Sequence, residues 1–517
     1  MTFYREVKRL GQVDKGTNSV LRFPPSVFRL PTSDDHFEEG IAIKKIFRQY
    51  DIRGIVPDEL SDSLMLDIAR AFATHAIIKG HSKILLGRDN RLSSPQLREL
   101  ALEAILDSGC DVVDLGMVVT PVFYFASRHL DIKAGIMITA SHNPGNYNGC
   151  KLLLGEHTIF GEEIQSIRQR IERRDFFTGP RGKLETLDII PDYIEMLKSK
   201  IKMGPNIPHL VVDCGNGTAS ILAPQVFRSL GCEVSELYCD SDPSFPHHHP
   251  DPVDPKNMVD LVAEVKKTGA DLGIGIDGDG DRLGVVDARG NMIWGDMLMI
   301  LFWRDILPRY PACECIVEVK CSQALIDEIE RLGGKPLLYK TGHSLIKSKM
   351  KEINAVFTGE MSGHMFFADD YYGFDDALYA GARLLELLSH SEKNISEMLS
   401  DVPRYYSTPE IRIPVGDEEK FFMVDKVREH FKLKYPLIEI DGARILFPQG
   451  WGLVRASNTG PELIVRCEGR SPEALEQIKA ELFGCLQSLG MEEEPGPAEF
   501  PFTPVYNYPK SEFQDQV

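Results

Sequence analysis

The sequence predicts an α/β fold with three related α/β domains with mixed sheets, followed by a smaller C-terminal α+β domain. Three observations support this prediction. An apolar strand, a glycine-rich or polar loop, an amphipathic helix and a glycine recur in this order three times, which is typical of βαβ units with mostly parallel strands. The stretch 404–490 breaks that order. The length of 517 residues fits three or four domains.

The first repeat begins with the apolar run Lys83–Leu86, which predicts a strand. Gly109 ends the helix that comes next. The apolar run Ala134–Ile138 predicts another strand of the same domain. The helix between them is predicted from apolar residues at the i, i+3, i+4 spacing of one face: Leu97, Leu100, Ala101, Ala104 and Ile105.

The second and third repeats follow the same order. The second has strands at His209–Asp213 and Asp271–Ile276, and Gly269 ends its helix. The third has strands at Cys315–Val319 and Asn354–Thr358. The predicted buried helix faces are Met258, Leu261, Val262 and Val265 in the second repeat and Leu325, Ile326, Ile329 and Leu332 in the third.

The final stretch reads as strand Glu410–Pro414, a charged helix, strand Leu463–Cys467 and a last helix. The whole chain is therefore divided into six segments. They are an N-terminal extension (1–40), domain 1 (41–188), domain 2 (189–292), domain 3 (293–403), domain 4 (404–490) and a proline-rich, aromatic C-terminal extension (491–517).

Composition excludes several classes of protein. Lys and Arg number 58 against 77 Asp and Glu, and the formal net charge of -19 disfavours a nucleic-acid binder or a polybasic membrane-surface protein. No run of about 18 apolar residues predicts a membrane span, and the charged N-terminus does not resemble a signal peptide. Ten cysteines without a CxxC pair predict reduced thiols and a cytoplasmic protein. A zinc site at Cys313 and Cys315 lacks further ligands.

The loop Thr139-Ala140-Ser141-His142-Asn143-Pro144 follows the strand Ala134–Ile138. A serine beside a histidine can be a nucleophile, and the alternative is a turn stabilised by the Ser and Asn side chains. The G-x-S-x-G pattern of a hydrolase elbow is absent from this sequence.

The loop Asp277-Gly278-Asp279-Gly280-Asp281-Arg282 has three carboxylates at alternate positions. It does not fit an EF-hand, which needs Gly at the sixth position and Glu at the twelfth. Three converging carboxylates in an apolar context need a counter-charge, and a hard divalent cation such as Mg²⁺ supplies it best. The alternative is a solvated acidic turn.

Two more loops carry polar groups at strand ends, where α/β sheets place ligands. In Gly359–His364, Glu360 and Ser362 are two apart and fit a pair that binds hydroxyls, although a plain polar loop is the alternative. The segment Arg455–Gly460 combines a guanidinium, two hydroxyls and an amide in a possible phosphate cradle, with an ordinary turn as the alternative. A central cleft between domains would bring the four loops together. His247, His248 and His249 lie between prolines and predict a loop rather than a metal site.

The motifs TASHNP, DGDGDR, GEMSGH and RASNTGP, in this order, resemble those of the α-D-phosphohexomutase superfamily over roughly residues 41–490. Supporting segments are Tyr50–Gly54, Val211–Thr218, His248–Pro252, Lys320–Ser322 and Lys340–Ser344. The sugar loop GEMSGH is similar to that of the phosphomannomutase/phosphoglucomutase branch. Phosphoglucosamine mutases usually carry Gln where this chain has Met361; a phosphoglucosamine mutase is the alternative.

The resemblance implies four domains around a deep cleft and a role for each matching residue. Ser141 would be the phosphoserine; Asp277, Asp279 and Asp281 would hold Mg²⁺ together with a phosphoserine oxygen. Glu360 and Ser362 would bind sugar hydroxyls, and Arg455, Ser457, Asn458 and Thr459 would grip the non-reacting phosphate. Further matching cleft positions are Tyr50, Arg53, His142, Lys151, Arg282, Lys320, His343 and His364, with Lys151 and His364 as candidates for the general base.

The implied reaction is reversible phosphoryl transfer between the 1- and 6-positions of mannose or glucose phosphates, through a hexose 1,6-bisphosphate that also serves as activator. The expected partners are sugar phosphates, without nucleic acid or membrane. The resemblance says nothing about the two extensions.

Overall fold

The fold is described here for residues 45–458 and 460–491 from a computed structural model. The predicted N-terminal extension (1–40), Thr459 and residues 492–517 of the predicted C-terminal extension lie outside the described residues.

The first sheet has seven strands and a mixed topology. Its strands run in the order β1-β5-β4-β2-β3-β7, with β6 beside β5; β2 is parallel to β3 and β4, whereas β5 is antiparallel to β4 and β1. The central strand β4 is buried at every position, as expected for a strand covered on both faces. The elements are β1 (Ile52–Ile55), α1 (Asp62–Ile78), β2 (Lys83–Arg88), α2 (Ser94–Asp107), β3 (Asp111–Met117), α3 (Thr120–His129), β4 (Ala134–Ile138), β5 (Tyr147–Leu154), β6 (His157–Thr158), α4 (Glu162–Glu172) and β7 (Leu184–Thr186).

The second sheet has the strand order β12-β11-β10-β8-β9. Strands β8, β9 and β10 are parallel, and β11 returns antiparallel to β10. The predicted helix face is confirmed, and Gly269 ends α7 in the left-handed conformation at φ +68°. The elements are α5 (Ile190–Lys200), β8 (His209–Asp213), α6 (Ala223–Ser229), β9 (Glu233–Leu237), α7 (Val259–Thr268), β10 (Leu272–Ile276), β11 (Leu283–Asp287) and β12 (Met292–Ile293).

The third group pairs β13 with β14 in parallel and β15 with β16 in an antiparallel hairpin. The predicted strand Asn354–Thr358 is wrong at its start, because Asn354 takes the left-handed conformation that ends α10. The elements are α8 (Gly295–Ile306), β13 (Glu314–Glu318), α9 (Gln323–Arg331), β14 (Lys335–Tyr339), α10 (His343–Ile353), β15 (Phe357–Gly359), β16 (Met365–Phe367), α11 (Ala377–Ser389) and α12 (Ile395–Met398).

The fourth group is an antiparallel sheet with the order β17-β22-β21-β20-β19 and with β18 also beside β22. The helices α13 and α14 pack on this sheet and bury Val427 and Leu482 against Ile445 and Val465. The elements are β17 (Tyr406–Ser407), β18 (Ile411–Pro414), α13 (Glu419–Phe431), β19 (Leu437–Ile438), β20 (Ala443–Phe447), β21 (Gly450–Ala456), β22 (Glu462–Gly469) and α14 (Pro472–Ser488).

The predicted fold class of three α/β domains with mixed sheets and a smaller α+β domain is confirmed. The expectation of mostly parallel strands is wrong. Parallel pairs run from the middle of each of the first two sheets to one edge. Antiparallel strands such as β5 and β11 return the chain directly after the strand before them. A short loop between two strands permits only an antiparallel return. The domain bounds stay a prediction.

One hydrophobic core joins the first three groups, whereas the fourth has a core of its own. Phe123, Phe227 and Trp303 belong to the shared core. A small cluster of Val319, Trp451 and Leu453 links the fourth sheet to the third group. Buried polar contacts add to this link, since Arg444 donates to the carbonyls of Val319 and Cys321.

The buried carboxylate Asp376 lies at the N-terminus of α11. Its side chain accepts hydrogen bonds from the Tyr193 hydroxyl at 2.9 Å and the Tyr371 hydroxyl at 2.6 Å. Burial raises the pKa of Asp376 to about 6, although these hydrogen bonds oppose the shift. A raised carboxyl pKa stabilises the folded state below the unfolded value of 3.8, and this contribution is lost as the pH rises through 6.

The unaltered protein should therefore lose about 2 kcal/mol of stability relative to Asp376→Asn, which cannot titrate, when the pH is raised from 4.5 to 7. Urea unfolding of both proteins at the two pH values measures the change in their free-energy gap. A gap that is the same at both values would contradict the shifted pKa.

Candidate active site

Ser141 lies in the loop that follows β4, and its side chain is buried. Its Oγ donates to Oδ2 of Asp277 at 2.9 Å and lies 3.1 Å from Nδ1 of His142. The backbone is left-handed at φ +52°, which is costly for a non-glycine residue and typical of functional turns. Burial, together with Arg282 and Arg53, holds the pKa of His142 well below its ordinary value, so this ring is neutral beside the hydroxyl.

A buried arginine that the sequence analysis did not single out holds the Ser141 loop. Nη2 of Arg91 donates to the carbonyls of Ser141 and Asn143, each at 2.6 Å. Nη1 donates to the carbonyls of Pro144 at 2.7 Å and Tyr147 at 3.1 Å. Arg91 is 1% exposed, and Asp89 pairs with it at 3.2 Å. An arginine in the polar stretch after a strand gives no pattern from which this role could be predicted.

The three predicted metal ligands do converge. Asp277, Asp279 and Asp281 are buried, and each offers an oxygen within 4.8 Å of the other two. Oδ1 of Asp279 and Oδ1 of Asp281 are buried without a hydrogen-bond partner among the described residues. Three buried carboxylates, two of them with an unsatisfied oxygen, fit a hard divalent cation. This cluster could therefore hold a metal ion.

Lys151 and Thr120 contact the same carboxylates. Nζ of Lys151 lies 2.7 Å from Asp279 and 2.5 Å from Asp281, and the Thr120 hydroxyl donates to Asp279 at 2.6 Å. Burial alone would lower the pKa of Lys151, but the two carboxylates outweigh it and raise that pKa well above its ordinary value. Burial and the neighbouring Asp281 and Asp279 raise the pKa of Asp277. Thr120 was not predicted as a site residue.

The third loop meets the metal loop through a histidine. Nε of Arg282 donates to Nε2 of His364 at 3.0 Å. On its other side, Nδ1 of His364 lies 3.1 Å from Oδ2 of Asp375. The ring of His343 stacks on His364 with centroids 5.4 Å apart. Asp375 was not predicted, because it lies eleven positions after His364 in a segment without a motif.

Glu360 is buried and faces the start of α10. Its Oε1 accepts the backbone N–H of Gly342 at 2.7 Å, and burial raises its pKa. Ser362 lies in the same turn and is partly exposed, so its hydroxyl is accessible. This geometry leaves Oε2 of Glu360 for a ligand.

The fourth loop follows β21 and lies next to Tyr50. The Asn458 side chain donates to the Tyr50 hydroxyl at 2.6 Å, and that hydroxyl donates to the carbonyl of Thr341 at 3.0 Å. Arg455 pairs through Nε with Asp441 at 3.0 Å, while its Nη2 is buried without a hydrogen-bond partner among the described residues. A buried guanidinium with a free donor suits a phosphate.

Two lysines belong to this part of the cleft. Lys320 lies 2.9 Å from Glu410. Burial alone would raise the pKa of Glu410, but Lys320 and Arg412 outweigh it and lower that pKa to about 2. Lys420, which was not predicted, donates to the carbonyls of Ser457 at 2.8 Å and Gly460 at 2.9 Å. Nothing in its sequence context, the charged start of α13, distinguishes it from a surface lysine.

The structure thus brings the first three predicted loops into contact and places the fourth beside Tyr50. Arg53 also joins the site, since its Nη1 donates to Oδ1 of Asn143 at 2.7 Å. Thr459 is the one predicted site residue outside the described part.

Three further predictions from the sequence concern the histidine run, the cysteines and membrane spans. His247 and His248 lie in a loop and contact Asn216 and Asp213 respectively. All ten cysteines lie in the described part and are free. Among the helices of residues 45–458 and 460–491, none has the length and apolar character that a bilayer crossing requires.

Comparison with known proteins shows which family the chain resembles over most of its length. Family models described as Phosphoglucomutase/phosphomannomutase, alpha/beta/alpha domains I, II and III match residues 44–178, 191–290 and 294–406, and the C-terminal domain model matches 410–484. The phosphomannomutase/phosphoglucomutase of Pseudomonas aeruginosa is 46% identical over 435 residues, which are 84% of this chain and 94% of that relative.

Two further matches extend the comparison. The phosphoglucomutase of Neisseria meningitidis serogroup A is 43% identical over 449 residues, 86% of this chain and 97% of that relative. A crystal structure of a phosphoglucomutase/phosphomannomutase family protein from Burkholderia thailandensis has a TM-score of 0.81 and 41% identity, covering 86% of this chain and 97% of its own.

Proposed function

The chain belongs to the phosphoglucomutase/phosphomannomutase family and is an isomerase that moves a phosphoryl group between the 1- and 6-positions of hexose phosphates, and we propose that Ser141 carries this group. The single observation that best supports this assignment is the contact between the Ser141 hydroxyl and Asp277 at 2.9 Å. It joins a hydroxyl of the first loop to the cluster that could hold a metal ion.

The proposed reaction consists of two phosphoryl transfers through Ser141. Phosphorylated Ser141 donates its phosphoryl group to the free hydroxyl of a hexose phosphate, which gives a hexose 1,6-bisphosphate. After this intermediate turns over, its other phosphate returns to Ser141. Lys151 and His364, both beside Asp281, are the candidates for the base that takes the hydroxyl proton. Positioning and charge stabilisation supply most of the catalysis in such transfers.

Asp277, Asp279 and Asp281 are assigned to Mg²⁺, because three carboxylates with two unpartnered buried oxygens suit a hard cation. When bound, the ion would neutralise charge on the transferring phosphoryl oxygens. Around it, Lys151 balances two of the carboxylates, and Arg282 and Arg53 supply further positive charge at the first loop.

Sugar recognition is assigned to Glu360 and Ser362, with His343 and His364 beside them. Contacts to the 3- and 4-hydroxyls do not read the 2-hydroxyl, and they therefore accept both glucose and mannose phosphates. Arg455, Ser457, Asn458 and Thr459 are assigned to the phosphate that does not react, with Lys320 and Tyr50 nearby. The cytoplasmic location and the bisphosphate activator remain predictions from the sequence.

The test incubates the full chain with glucose 1,6-bisphosphate, with Mg²⁺ or with a chelator, and measures its intact mass and its phosphopeptides. We expect one added phosphoryl group, on Ser141, at a rate that the chelator suppresses. A coupled assay then compares glucose, mannose and glucosamine 1-phosphates. Phosphorylation elsewhere would refute the role of Ser141, and a strong preference for the glucosamine substrate would favour the phosphoglucosamine mutase alternative.

Arg455→Met should weaken catalysis without unfolding the protein. The change removes the free Nη2 donor assigned to the substrate phosphate, and losing such a charged hydrogen bond corresponds to a roughly 10- to 100-fold fall in kcat/KM. We expect a rise in KM to account for most of this decrease in kcat/KM, because this phosphate does not react. Steady-state kinetics with glucose 1-phosphate measures the change, with the exposed Arg228→Met, which pairs with Glu236 away from the site residues, as the control. An unchanged KM would contradict the assignment.

A further inference from the structure

A second cavity, of about 350 Å³, lies between the first and third groups of elements. Tyr124 and Arg128 of α3 and Thr158 of β6 line it from one side, and Lys347 and Lys351 of α10 line it from the other. None of the described residues assigned to the sugar phosphate site lines this cavity. Its volume falls at the lower end of the range for small-molecule sites, about 300–1,000 Å³.

The interior of this cavity is apolar and aromatic. The ring of Phe374 lies 5.4 Å from that of Tyr124 and 5.7 Å from that of Tyr372, and it is almost parallel to the second. Leu153 and Met350 add aliphatic surface. This part of the wall favours a flat apolar body.

The polar groups of the cavity favour an anion. Arg128, Lys347 and Lys351 are cationic, and Glu156 is the one carboxylate among the lining residues. Glu156 pairs with Lys351 at 2.6 Å and with Arg128 at 3.5 Å, both near the exposed rim. Deeper inside, the Tyr124 hydroxyl is buried without a hydrogen-bond partner among the described residues, which is uncommon for a buried polar group.

The buried cation of the cavity connects it to the active site. Nζ of Lys347 donates to Oδ1 of Asp375 at 2.8 Å and lies 4.7 Å above the ring of Tyr124. The other oxygen of Asp375 lies 3.1 Å from Nδ1 of His364 and 3.5 Å from Nδ1 of His343. An anion bound to Lys347 would compete with Asp375 for this ammonium group and so disturb the carboxylate that lies beside both histidines.

We propose that this cavity is a binding site for a small aromatic carboxylate, with the ring among Tyr124, Phe374 and Tyr372 and the carboxylate on Lys347 and the Tyr124 hydroxyl. The occupied site lowers turnover without competing with the sugar phosphate, because the ligand acts through Lys347 and Asp375. This goes beyond the proposed function, and the binding itself does not depend on that function.

Isothermal titration calorimetry of the full chain with 2-naphthoate tests the proposal, and 2-naphthalenemethanol serves as the neutral probe. We expect saturable naphthoate binding that saturating glucose 1-phosphate does not displace. The neutral probe should bind about tenfold more weakly or worse, because it lacks the charged hydrogen bond. Naphthoate should lower kcat for glucose 1-phosphate and leave KM unchanged.

Ala368→Trp places a large ring at the exposed edge of the cavity and should weaken naphthoate binding at least about tenfold, whereas Ala480→Trp on the exposed face of α14 should not. Lys347→Gln, with folding checked by thermal melting, should weaken it as well. No measurable heat with naphthoate, displacement by glucose 1-phosphate, or unchanged binding in Lys347→Gln would overturn the proposal. Because calorimetry measures binding without turnover, a failure of the proposed mutase function would abolish turnover and leave the naphthoate binding unchanged.

Discussion

Ser141→Ala should lower the interconversion of glucose 1-phosphate and glucose 6-phosphate on the order of 10⁴-fold or more, as loss of a catalytic nucleophile does in other enzymes. The hydroxyl is the only part of the side chain that is removed, and it is the group that meets Asp277. The loops that hold the sugar and the distal phosphate are not changed. We therefore expect kcat to fall while the affinity for glucose 1-phosphate stays close to that of the unaltered protein.

Two measurements check this result. A coupled assay with added glucose 1,6-bisphosphate measures kcat, and calorimetry measures the affinity for glucose 1-phosphate. The matched control is Ser63→Ala, which removes an exposed hydroxyl on α1 and should leave both quantities unchanged. Activity of Ser141→Ala within tenfold of the unaltered protein would show that another group accepts the phosphoryl group.

The sequence was sufficient where local pattern decides structure. The apolar runs Ala134–Ile138 and His209–Asp213 are strands with those bounds, and the glycine after α7 ends it as expected. The polar loops at the ends of β4, β10 and β15 could be recognised because each follows a predicted strand directly, whereas β21, which carries Arg455, was not predicted. Their residue types also restrict the chemistry, since alternating carboxylates need a counter-charge.

The remaining features depend on contacts between distant segments. An apolar run does not reveal strand direction, and the antiparallel returns β5 and β11 were for that reason not foreseen. Lys420 reaches the carbonyl of Ser457, thirty-seven positions away, and Asp375 acts through His364. No spacing in the sequence reports such a contact, because it is formed only when separate elements pack together.

Arg91→Met should destabilise the fold by about 3–5 kcal/mol, the usual cost of removing one partner from a buried ion pair. The change leaves the buried Asp89 without its cation and removes the donors to four loop carbonyls, those of Ser141, Asn143, Pro144 and Tyr147. Arg91→Lys keeps the charge but lacks the planar fork, so it should recover only part of the loss. Urea unfolding measures both variants. Arg181→Met, which breaks the two exposed pairs with Glu103 and Asp107, should cost no more than about 1 kcal/mol for each pair.

Arg91 is expected to position the nucleophile as well as to stabilise the loop. Ser141 keeps its left-handed backbone only where the surroundings hold it, and the guanidinium holds the carbonyl of Ser141 itself. At a temperature where Arg91→Lys remains folded, phosphorylation of Ser141 by glucose 1,6-bisphosphate should therefore be slower, while the Kd for glucose 1-phosphate is unchanged. A purely structural role would leave the phosphorylation rate of the folded variant at its original value, because the hydroxyl would still meet Asp277 in the same geometry.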